Sequence, residues 1–146
     1  NEHISISPAL NSTNIYTTSA WVRINGTTPD GYQCILSQDY NNNILCYGDS
    51  EKKFLAYANY TALYTDNTYP TGKWYHVSVV HNPTTQYIYI DGVLAGTSSN
   101  TNASSLQYIG SAENTVETLN GDLDEVRIYN RALSAAEVKQ LYLMGK

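Results

Sequence analysis

Apolar and polar residues alternate in short runs along most of the chain. Segments Ile4–Ser7, Ser19–Ile24, Gln33–Ser37, Ile44–Tyr47, Phe54–Tyr60, Lys73–His81, Tyr87–Ile90, Leu106–Ile109 and Leu119–Tyr129 each read as a strand. Turn formers punctuate them: Asn25-Gly26, Asp30-Gly31, Asn41-Asn42-Asn43, Tyr69-Pro70, Asn82-Pro83 and Asp91-Gly92. Many short strands at this spacing predict a two-layer sandwich or a barrel. The clearest hairpin is Tyr87-Ile88-Tyr89-Ile90-Asp91-Gly92-Val93-Leu94. Asp-Gly tolerates the positive φ angles of a tight turn. Period-two alternation puts Ile88 and Ile90 on one face, the better candidate for the core, and Tyr87 and Tyr89 on the other. One helix is predicted, at the C-terminus. Ser134-Ala135-Ala136-Glu137 has the form of a capping box, and Val138, Leu141 and Tyr142 follow on one stripe.

Composition supports strands over helices. There are 14 tyrosines and 2 tryptophans in 146 residues, and only 14% of the residues are charged. The length suits a single domain over residues 1–146, and low charge argues against disorder. The formal net charge of −5 and the absence of any Lys/Arg run beyond Lys52-Lys53 speak against nucleic acid as a partner. No run of roughly 20 apolar residues is present, so no membrane-inserting helix is expected. The opening Asn1-Glu2-His3-Ile4 begins in mid-pattern, as in an excised domain or mature fragment.

Two segments carry a family resemblance. The first is Thr71-Gly72-Lys73-Trp74-Tyr75-His76-Val77-Ser78-Val79-Val80 with the later Tyr87-Ile88-Tyr89-Ile90-Asp91-Gly92. The second is Asn120-Gly121-Asp122-Leu123-Asp124-Glu125-Val126-Arg127-Ile128-Tyr129-Asn130-Arg131-Ala132-Leu133-Ser134. Together with Ser19-Ala20-Trp21-Val22-Arg23, their order and spacing resemble the laminin-G-like domains of the concanavalin A-like superfamily. The resemblance implies an all-β, two-sheet antiparallel jelly-roll sandwich with a short C-terminal helix. It also implies an extracellular or cell-surface setting and carbohydrate binding. It further implies a calcium site where the first strand meets the Asp-Glu-Val-Arg-Ile strand. The matching residues are Asp124 and Glu2, and the ion is expected to be structural.

Related glucanases carry a Glu-x-Asp-x-x-Glu arrangement on one strand face. The nearest cluster here is Asp122, Asp124 and Glu125, and strict alternation sends Glu125 to the face opposite Asp124. The triad itself is absent and no Ser/His/Asp motif stands out, and on these grounds the chain is expected not to be an enzyme. Neutral sugars are held by aromatic faces and a few polar groups. The candidates are Tyr57 and Asn59 on one strand face, Tyr87 and Tyr89 on another, and Tyr32 and Tyr40 in turn clusters. Trp21 and Trp74 stand in alternating strands with valine partners and are expected in the core, as are Val77, Val79, Ile88, Ile90, Val126 and Ile128. Sequons for N-glycosylation occur at Asn11, Asn25, Asn59 and Asn102. Cys34 and Cys46 lie six residues either side of Tyr40, so a hairpin centred there makes them cross-strand neighbours able to form a disulfide. The leading reading is a non-catalytic carbohydrate-binding or adhesion module with a glycan or polysaccharide partner. The alternative is a protein-interaction or spacer domain without a small ligand, partnered by other surface proteins.

Overall fold

The computed structural model describes residues 4–10, 14–38, 43–58, 61–99, 105–112 and 117–145. Eleven strands and one helix follow in chain order: β1 (Ile4–Leu10), β2 (Tyr16–Ile24), β3 (Tyr32–Ser37), β4 (Asn43–Gly48), β5 (Lys53–Ala58), β6 (Thr61–Tyr64), β7 (Trp74–His81), β8 (Gln86–Ile90), β9 (Val93–Ser98), β10 (Leu106–Ile109), β11 (Gly121–Tyr129) and α1 (Ala135–Met144). All pairings are antiparallel. One sheet runs β1-β10-β3-β4-β5-β6 and the other β11-β2-β7-β8-β9. This is the expected jelly-roll sandwich with its C-terminal helix. No helix among the described residues is long and apolar enough to cross a membrane.

The core is built from the facing sides of the two sheets. Ala20, Val22 and Ile24 of β2, Val77 and Val79 of β7, and Ile88 and Ile90 of β8 meet Ile35, Leu45, Tyr47, Phe54 and Ala56 of the other sheet. Each set sits at every second position, as the pleat requires. The β8–β9 hairpin turns at Asp91 (φ 52°) and Gly92 (φ 75°), the two left-handed residues of a type I′ turn. Glycine is also needed there for space, because a Cβ at 92 would meet the Lys139 backbone of α1 at 3.1 Å.

Three expectations about the core need correction. Trp74 is 40% exposed. It shares the outward parity of His76 and Val80, while Val77 and Val79 point inward. Trp21 has the same outward parity on β2 and is half-buried. Val126 and Ile128 pack against the core but are only partly buried, because β11 is an edge strand with no neighbour beyond it. The strand expected over Phe54–Tyr60 is β5, Lys53–Ala58, the first arm of the β5–β6 pair, with 59 and 60 outside the described residues.

The helix begins with the predicted capping box. The Glu137 amide donates to Ser134 Oγ at 3.3 Å, and the Ser134 amide donates to Glu137 Oε2 at 2.8 Å. The Arg131 guanidinium forks onto the same carboxylate. That guanidinium, with the Ser134 donors, holds the Glu137 carboxyl down at about 2. Val138 and Leu141 of α1 pack with Leu133 on Val80 and Tyr89, the outer face of the five-stranded sheet. Thr17 Oγ1 of β2 ties the entry to the helix, accepting from the Leu133 amide and donating to the Arg131 carbonyl.

Cys34 and Cys46 stand directly opposite each other on β3 and β4 and are joined by a disulfide. The bridge closes a short loop, so the chain-entropy estimate for its loss is about 2–3 kcal/mol. Replacing both cysteines with alanine is expected to lower unfolding stability by that amount in urea denaturation. Thiol titration of the denatured, unreduced protein is expected to find no free thiol, and two free thiols would refute the bridge.

Candidate functional site: an indole and carboxylate cleft

The outer face of the five-stranded sheet is divided in two. One end lies under α1. The other end forms a cleft of about 380 Å³ lined by Trp21, Trp74, Asp124, Glu125 and Gly145. Strand register assembles it. Asp124 of β11 pairs with Trp21 of β2, and Trp21 pairs with His76 of β7. One step along, Asp122 pairs with Arg23, and Arg23 with Trp74.

A β-bulge completes the lining. From Asp124 to Arg127 β11 advances three residues while β2 advances two, Trp21 to Ser19. The extra residue is absorbed at Glu125, whose φ is 48°. Glu125 therefore lines the same cleft as Asp124, contrary to the expectation from strict alternation. The helix end supplies the remaining wall. A Cβ at Gly145 would collide with the Trp21 indole nitrogen, so only glycine lets the chain close so tightly over that ring.

Charges in the cleft are mostly paired. Arg23 binds Asp122 at 2.8 Å and lies over the Trp74 ring, 5.2 Å from its centroid. Hydrogen bonds from Asn25 and Arg23 lower the Asp122 pKa. Arg127 binds Glu125 at 3.1 Å. Asp124 accepts the Glu125 amide at 2.7 Å and has no cationic partner among the described residues. Beneath Trp21 lies His76, 4% exposed, with its ring edge-on to the indole at 5.4 Å. His76 Nδ1 and Trp21 Nε1 are buried with no hydrogen-bond partner among the described residues. Burial, with Arg127 nearby, pushes the His76 pKa down to about 4.

The tyrosines chosen from sequence separate into two places. Tyr89 is 8% exposed and Tyr87 is partly buried, both packed in the cluster beneath α1. The sequence-based face assignment was right, but the helix covers that face, so these two rings are not offered to a ligand. Tyr32 and Tyr57 do come together, on the outer face of the six-stranded sheet. There they pack with Tyr64 around Cys34, Cys46 and Leu55. The Tyr32 and Tyr64 hydroxyls are 3.2 Å apart, and burial together with that bond raises the Tyr64 pKa. Tyr40 and Asn59, with the sequons at Asn11 and Asn102, lie outside the described residues.

Of the two residues expected to hold calcium, Asp124 lines the cleft with Glu125 beside it, and Glu2 lies outside the described residues. The metal-compatible group found among the described residues is Cys34, Cys46 and Glu117, and its sulfurs are engaged in the disulfide. Sequence reasoning missed the cleft because it placed both tryptophans inside. The signal was present in parity: Trp74 and Val77 cannot share a face of one regular strand.

Comparison with known proteins agrees with this architecture. The profile of a laminin G-type family, within the concanavalin A-like lectin/glucanases superfamily, matches residues 1–139, and the chain belongs to that family. No curated protein matches it. Among solved structures, a Bacteroides ovatus protein to which carbohydrate binding is ascribed aligns over 96% of this chain and 44% of its own, at 17% identity and TM-score 0.77. A heptameric pentraxin from Limulus polyphemus aligns over 96% of this chain and 75% of its own, at 18% identity and TM-score 0.72. Trypanosoma rangeli sialidase aligns over 90% of this chain, at 20% identity and TM-score 0.71, and this chain spans 23% of the sialidase chain.

The sialidase likeness corrects the expectation that the chain is not an enzyme. The fold occurs within an enzyme chain, and the bulge at Glu125 removes the alternation argument, one of the grounds of the exclusion. At this identity the likeness shows the fold alone and assigns no activity.

The buried histidine makes a testable statement about stability. A histidine whose folded pKa lies below its unfolded value of 6.5 takes up its proton more readily when unfolded. Stability is therefore full above about pH 6.5 and falls as the pH drops toward 4. The shift to about 4 corresponds to about 3 kcal/mol across that window. His81, also lowered by burial, acts in the same direction. Urea denaturation of His76→Phe, which keeps the ring against Trp21, is expected to show a distinctly flatter decline between pH 6.5 and 4 than wild type. An unchanged slope would remove His76 as the source.

Proposed function

We propose that the chain is a glycan-binding domain and that the Trp21–Trp74 cleft is where the sugar binds. The observation that carries this reading is the exposed Trp74 indole in one open cleft with Asp124, which no cation among the described residues neutralises. An aromatic face suits the apolar C–H surface of a pyranose, and carboxylate oxygens accept bonds from its hydroxyls. Family membership and the Bacteroides ovatus neighbour support the ligand class. The family setting and the disulfide support an extracellular or cell-surface location. Few polar contacts in an open site correspond to affinities of roughly micromolar to millimolar.

The test is titration of a panel of oligosaccharides, followed by indole fluorescence or isothermal calorimetry. Trp74→Ala is expected to weaken the best ligand about tenfold or more, as loss of a stacking platform of 1.4 kcal/mol or more would require. Tyr57→Ala is expected to change it less than about twofold, a shift small against that tenfold step. Loss of binding in Tyr57→Ala with Trp74→Ala unaffected would move the site to the Tyr32–Tyr57–Tyr64 face. An absence of binding across the panel would overturn the glycan reading.

A further inference from the structure

We infer that the cleft selects glycans by charge, favouring chains of amino sugars with a free, protonated amine over their N-acetylated or acidic counterparts. This rests on the glycan-binding reading and adds the chemical class of the ligand.

Most charges in and around the cleft are met within the protein. Asp122 and Glu125 are neutralised by Arg23 and Arg127, at 2.8 and 3.1 Å. The two guanidiniums are spent on those partners, and Arg23 is further committed to the Trp74 ring. Asp124 has one oxygen on the Glu125 amide and no cation among the described residues. His76 beneath Trp21 is neutral above about pH 5, its pKa being about 4, so it adds no positive charge to the floor. Among the described residues the cleft therefore presents one uncompensated carboxylate with two electron-rich indole rings. Carboxylates only accept hydrogen bonds, and an ammonium group is their strongest small donor. Indole faces attract cations as well as C–H surfaces. A 2-amino-2-deoxy sugar meets both demands, its ring face on Trp74 and its ammonium toward Asp124. An N-acetyl group replaces that charge with a neutral amide. A uronate or sialic acid would set a second carboxylate against Asp124, in a chain whose formal net charge is already −5.

Three oligomers of matched length serve as probes: fully deacetylated glucosamine, N-acetylglucosamine and galacturonate. They are titrated near pH 6, where carboxylates are ionised. The glucosamine oligomer is expected to bind about five- to tenfold more tightly than the N-acetylated one at low salt, within the range of an exposed charge-assisted contact. That advantage shrinks as salt is raised. The galacturonate oligomer is expected to bind weakest. Asp124→Asn is expected to abolish the preference, so that the ratio of glucosamine to N-acetylglucosamine affinity falls to about one. Because Asp124 is exposed, an unaltered melting temperature confirms that the variant is folded, and Glu125→Gln with its Arg127 pair broken serves as a second variant. Equal or tighter binding of the N-acetylated oligomer to wild type, or a preference that survives Asp124→Asn, overturns the charge selection while glycan binding stands. Failure of all three oligomers and of the neutral panel overturns both readings.

Discussion

The structure depends on one constraint: two antiparallel sheets must bury their facing sides against each other. Val22, Val77, Val79, Ile88 and Phe54 meet this demand in a single core. Because side chains alternate across a strand, filling the inner face also decides the outer one. With Val77 and Val79 inward, Trp74 and His76 must face out. With Ala20 and Val22 inward, Trp21 and Arg23 must face out beside them. The aromatic and charged row on the outside of β2 and β7 is therefore a consequence of core packing.

Two local departures turn that row into a cleft. The first is the β-bulge in β11, where Glu125 takes a left-handed conformation that costs free energy for a residue with a Cβ. The Arg127 ion pair and the Asp124 side chain's bond to the Glu125 amide contribute to offsetting it. The second is α1, which covers Tyr89 and Val80 yet stops at Gly145, against Trp21. The capping box and Arg131 fix where the helix starts. Its length of ten residues then fixes where it ends, and so how much of the sheet stays open.

The fold was legible in the sequence because each of its signals is local and periodic. The Asp91-Gly92 turn, the alternation in Trp74–His81 and the Ser134–Glu137 cap each specify an element within a few residues. The candidate site was less legible. Parity alone could have placed Trp74 outside, but a tryptophan among valines reads as core until a facing sheet claims the opposite side. Tyr87 and Tyr89 were correctly placed on the outer face, and only the path of α1, a tertiary fact, shows that they are covered. Glu125 could not be placed from sequence at all. A bulge violates the period on which the reading relies, and nothing in Asp124-Glu125-Val126 marks it.

This division between scaffold and site explains how one fold can appear in a pentraxin, in a protein credited with carbohydrate binding and within a sialidase chain. Likeness at this level reports the buried sides of the sheets, which all such sandwiches must fill. The cleft is made from what those sides leave over: outward residues of β2 and β7, an irregularity in edge strand β11 and the last turn of a helix. Edge strands and chain ends can change without disturbing the core, so chemistry at this place can differ among relatives whose frames superpose. Function must accordingly be argued from Trp21, Trp74, Asp124 and Glu125 themselves. Their combination of aromatic faces with an acceptor that no described cation neutralises is the ground on which the proposed sugar site rests.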